Sequence, residues 1–137
     1  MQPKAIINLK SLRCNINYIK SLINNNVNIM PVVKANAYGH GYVEITKILK
    51  KENINCVCVA TIKEVKKILE LNLDINILHL GKISIDMLQT YTNNNVIATI
   101  NSIDDINVID KLKIGKIKRD KKKLKIGDLI FGKNIIN

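Results

Sequence analysis

Lys34 and Tyr38 stand four residues apart, and Gly39-His40-Gly41 follows them. A lysine amine in its neutral form is a base and a nucleophile, and it forms Schiff bases with carbonyl compounds. Placement decides whether that form is reached. The run before Lys34, Ile29-Met30-Pro31-Val32-Val33, has the composition of a strand buried on both faces. A lysine at the carboxyl end of such a strand loses solvation, and its amine pKa falls. Ligand sites of α/β folds also lie at the carboxyl ends of strands. The competing reading is a lysine that reaches past the strand end into water. Gly39 and Gly41 permit a tight turn with exposed amides, and from Tyr42 the pattern is helical. The unit is strand, lysine, glycine turn, helix.

Other reactive side chains carry less. Cys56 and Cys58 would share one face of a strand, but no further Cys or His pair accompanies them at zinc spacing, so core packing is the expectation and no metal is. His79 alternates with Ile75 and Ile77 and reads as a buried, satisfied histidine. His40, Asn36 and Gly41 read as scaffolding of the turn.

Residues 32 to 41, Val-Val-Lys-Ala-Asn-Ala-Tyr-Gly-His-Gly, resemble the cofactor-attachment motif of bacterial alanine racemases at ten consecutive positions. The opening Ile-Asn-Leu-Lys-Ser-Leu-Arg-Cys-Asn, residues 7 to 15, is similar to the start of that family, with Cys14 where histidine is common. The resemblance implies that Lys34 forms the Schiff base with pyridoxal 5'-phosphate and acts as catalytic base. It implies that Tyr38 touches the cofactor phosphate and that Leu80, in Ile77-Leu-His-Leu-Gly81, lines the cofactor pocket. It further implies interconversion of L- and D-alanine for bacterial wall precursors, by a homodimer whose partner supplies a tyrosine on the opposite face. No position here matches that tyrosine's motif, and the later strands that bring an arginine and a histidine to the cofactor ring have no counterpart. The expectation is an N-terminal racemase region, truncated or internally deleted, whose activity is incomplete. A non-catalytic pyridoxal-phosphate-binding module, or a decayed remnant, is the alternative.

The elements that position these residues alternate. Strands are expected over 4–9, at the lysine run, and over 56–60, 75–80 and 96–100. Helices are expected over about 11–24 with Ser11 as cap, 42–52, 62–71 behind a Thr61–Glu64 capping box, 84–91, and after Ser102. Alternation at this spacing implies a parallel sheet with right-handed crossovers. The fold class is α/β: a partial (β/α)8 barrel of about four βα units over 1–110, followed by a basic, hairpin-like tail over 111–137.

The charge follows that division. Residues 1–110 hold 12 basic and 9 acidic residues, and residues 111–137 hold 10 and 2. The tail repeats Lys-Leu-Lys-Ile-Gly at 111–115 and 123–127, and its Lys125–Lys133 segment faintly resembles the family's C-terminal β-domain. A basic tail suits nucleic acid, but Phe131 is its one aromatic and Arg119 its one arginine, so base stacking and bidentate reading are poorly supplied and nucleic acid is disfavoured. Three cysteines fit a reducing compartment, and no apolar run of membrane-spanning length occurs, so the reading is a soluble cytoplasmic protein with no membrane partner.

Overall fold

Asn8, not Ser11, opens the first helix: its side chain accepts the Ser11 N–H at 3.0 Å. The computed structural model describes residues 4–111 apart from 25, 84, 88, 89, 92 and 93. The expected strand over 4–9 is absent. Ile6 is 92% exposed, and Leu9 already belongs to the helix. That helix, α1, runs Leu9–Leu22 and sinks Ile16 into the core. The expected hairpin over 111–137 lies almost wholly outside the described residues.

The sheet has three parallel strands in the order β1 (Cys56–Val59), β2 (Asn76–His79), β3 (Val96–Ala98). The lysine run adds only a single parallel bridge, Val32 to Cys58. Pro31 limits it, because proline has no N–H to give the ladder. Its carbonyl still accepts the Cys58 N–H at 2.8 Å, and the Val33 N–H reaches the Cys58 carbonyl at 2.8 Å. Burial on both faces does not hold either: Val33 is buried, whereas Val32 is 39% exposed.

Three further helices follow the expected order: α2 (Tyr42–Lys51), α3 (Ile62–Leu69) and α4 (Ile103–Lys111). Within the expected helix 84–91, Ile85–Met87 is a short 3₁₀ turn, and Thr90 and Tyr91 are helical. α2 and α3 press Ile45, Leu49, Val65 and Ile68 against Val57, Val59 and Ile77, and this contact forms the core. Each fully buried aliphatic of this kind stabilises the fold by roughly 1.5–3 kcal/mol.

Register fixes the site end. Val32 faces Cys58 and Val59 faces His79, so two residues further on Lys34, Ala60 and Leu80 lie level at the carboxyl ends of neighbouring strands. With strands spaced by about 4.8 Å, the Lys34 and Leu80 backbones stand about 10 Å apart.

Candidate functional site

Lys34 begins a single helical turn, Lys34–Tyr38, of the wrong hand for L-residues. Ala35, Asn36, Ala37 and Tyr38 all have positive φ, between 50° and 58°. Four successive non-glycine residues in that region cost roughly 1–2 kcal/mol each. The glycine reading located the bend but not its extent: Gly39 and Gly41 continue the positive φ that the four residues before them begin.

The turn bonds like a helix. Ala37 N–H donates to the Val33 carbonyl at 2.9 Å, and Gly39 N–H to the Ala35 carbonyl at 3.0 Å. Asn36 is the residue type that best tolerates this conformation, and its side chain adds a second task. Its Oδ1 accepts the Tyr42 N–H at 3.1 Å, which supplies α2 with the cap that Gly41 lacks. His40 Nδ1 lies 2.9 Å from the Ala37 carbonyl, so it carries the proton and donates. His40, Asn36 and Gly41 thus hold the turn together, as expected.

One support comes from far away in sequence. Ala35 N–H donates to Glu64 Oε1 at 2.6 Å. The other oxygen, Oε2, accepts from Ala60 N–H at 3.0 Å and Thr61 N–H at 2.9 Å, while Thr61 Oγ1 accepts the Glu64 N–H. Burial works to raise the Glu64 pKa, but the Ala35, Ala60 and Thr61 amides outweigh it and hold the carboxyl below its usual range. The sequence shows the capping box and gives no sign of the third bond. Only a register argument that levels Ala60 with Lys34 could have raised it.

The three expected site residues share the carboxyl end of the sheet. Lys34 is half-buried rather than enclosed, and its Nζ lies 6.0 Å from the Tyr38 ring centre. Tyr38 is 59% and Leu80 40% exposed. A reachable primary amine, a phenol and an open apolar side chain make a donor set that fits a small carbonyl compound bearing an anionic group. A cleft of about 200 Å³ along the outside of the turn, lined among others by Ala35, Asn36, Glu64 and Lys67, includes none of the three.

Behind that end lies a buried polar pair. His79 is 2% exposed, and Tyr91 Oη lies 2.8 Å from its Nδ1. Burial pushes the His79 pKa down, against the Ala60 carbonyl and the Glu64 charge, which favour the proton. A carbonyl only accepts, so Nε2 keeps its hydrogen toward Ala60 and Nδ1 accepts the Tyr91 hydroxyl's hydrogen bond. Cys58 is buried, and its thiol is pushed up to about 11 by burial and by Cys56, which suits packing and not metal binding. Among the described residues no cluster of three metal-ligating side chains occurs, and no helix is long and apolar enough to cross a membrane.

A family model described as "Alanine racemase, N-terminal domain" matches residues 7–126. An alanine racemase of Desulforamulus reducens is 34% identical over 122 residues, 89% of this chain and 33% of that protein. An alanine racemase of Methanococcus maripaludis is 32% identical over 82% of this chain and 31% of that protein. Among solved structures, an alanine racemase of Clostridium difficile 630 superposes with a TM-score of 0.71 at 34% identity, over 78% of this chain and 29% of that chain. The chain therefore spans about a third of the length of the curated relatives it matches.

Proposed function

The chain belongs to the alanine racemase N-terminal domain family, a partial (β/α)8 barrel, and on that premise we propose that Lys34 carries pyridoxal 5'-phosphate and serves as a base toward the Cα proton of alanine. When bound, that cofactor supplies an electron sink that acidifies the Cα–H of an amino acid. The observation that carries the reading is the half-buried Lys34 at the carboxyl end of the sheet, on a hydrogen-bonded left-handed turn and beside the Tyr38 ring.

The chain's own groups divide the work. Lys34 Nζ, when neutral, takes the proton from its own face of the substrate carbon in one direction of the reaction, and when protonated delivers one to that face in the reverse direction. The Tyr38 hydroxyl donates to the phosphate. Leu80 supplies an apolar side chain to the lining of the cofactor pocket. A base on the opposite face belongs to a partner subunit in this reading, so the working form is a homodimer. A cytoplasmic setting and supply of D-alanine to wall precursors complete the proposal.

The test is visible absorbance after adding pyridoxal 5'-phosphate to the full chain and to Lys34→Ala. Absorbance in the parent alone supports the reading, and a racemisation assay then separates turnover from cofactor binding without turnover. No absorbance in either overturns it.

A further inference from the structure

We infer that Glu64 is the positioning residue of Lys34: its third hydrogen bond, to the Ala35 amide, fixes the direction in which the lysine leaves the sheet. The inference deepens the functional reading above and rests on it where the cofactor is concerned.

Three observations carry it. The residue after Lys34 is the first of four in a costly left-handed conformation, so the turn needs support from outside itself. Ala35 N–H is the first donor of that turn, and Glu64 Oε1, 29 residues away, holds it at 2.6 Å. A helix cap does not need this bond. At the start of α4, Asp105 Oδ2 accepts Asn101 N–H at 2.9 Å and Ser102 N–H at 3.0 Å, and Asp105 N–H returns to Ser102 Oγ. An aspartate therefore completes this kind of cap. The extra methylene of Glu64 is what reaches Ala35.

That difference defines the experiment. Glu64→Asp keeps the cap and withdraws the oxygen from Ala35. Thr61→Ala weakens the cap and leaves the Ala35 bond. Amide hydrogen exchange in the full chain, without cofactor, should run roughly tenfold faster at Ala35 in E64D, with Ala60 and Thr61 unchanged. The half-saturating concentration of pyridoxal 5'-phosphate, read by visible absorbance, should rise by a similar factor in E64D and stay at the parent value in T61A. Parent-like exchange at Ala35 in E64D overturns the inference, as does an equal cofactor response in T61A and E64D. Should E64D not fold, Glu64→Gln replaces it, because an amide keeps the length and gives up one acceptor. Absence of absorbance in the parent would remove the functional reading, and exchange at Ala35 would then decide the positioning alone.

Discussion

The box that opens α3, Thr61 with Glu64, and the box that opens α4, Ser102 with Asp105, are built on one plan. Each hydroxyl accepts the amide three residues on, and each carboxylate takes the two amides at and just before the cap. In both, the amides hold the carboxyl below its usual range. Among the described residues, only the first also binds a backbone amide from another unit of the fold, Ala35. A local device with a sequence signature has been extended by one methylene into a long-range tether. The extension coincides with the longest run of left-handed backbone among the described residues.

The largest effect on this comparison should come from Gly81→Ala. A Cβ there would lie 2.4 Å from the Ala60 carbonyl and 2.8 Å from His79 Nε2. It would push the peptide that feeds Glu64 and leave the second box alone. A loss of about 2–3 kcal/mol in denaturant unfolding is expected, with faster exchange at Ala35. Glu64→Ala comes next, at about 2 kcal/mol, because three amides lose their acceptor. If Asp105→Ala destabilised the chain as much, the third bond would contribute nothing. Thr61→Ala and Ser102→Ala should cost the same, about 1 kcal/mol each, since both hydroxyls make the same bond. Unequal losses would place the difference outside the carboxylates. Smallest is Tyr91→Phe, roughly 0.5–1 kcal/mol, which removes one buried hydrogen bond to His79 and touches neither box.

Acid sharpens the same contrast. The Glu64 pKa is lowered on folding from a usual 4.5, so its contribution is complete above pH 4.5 and is lost as pH falls through the lower folded value. Glu64→Gln should flatten the acid arm of the stability curve from about pH 4.5 downward. Asp105→Asn should flatten it only from about 3.8, the usual value of that group.

Much of this architecture was legible. Apolar runs bounded by Asn and Gly located β1, β2 and β3 within two residues at either end, and Thr61 with Glu64 marked the start of α3 correctly. Such signals are local, because burial and capping act over a few residues. Residues 4–9 misled because a short apolar run makes a strand only where it pairs, and these residues join none of the described ladders. The lysine run also misled: Pro31 has no N–H for the ladder and cuts its pairing to one bridge, a signal carried by the residue type and not by hydrophobicity. For the site, the resemblance supplied Lys34, Tyr38 and Leu80, and the glycines supplied a bend. The handedness of Ala35 to Tyr38 was hidden, because alanine and tyrosine adopt that conformation only when distant groups offset its cost. Glu64 is such a group, and sequence spacing alone does not connect it to Ala35.

The left-handed turn also has a consequence for the order in which the molecule is made. Lys34 is synthesised before Glu64, and until Glu64 is in place the turn has only its own contacts, such as Asn36 with Tyr42 and His40 with Ala37, to hold it. The lysine is translated early yet set in its direction late, only after the segment through α3 has emerged and packed. The backbone around the lysine is thereby tied to the closure of the second βα unit.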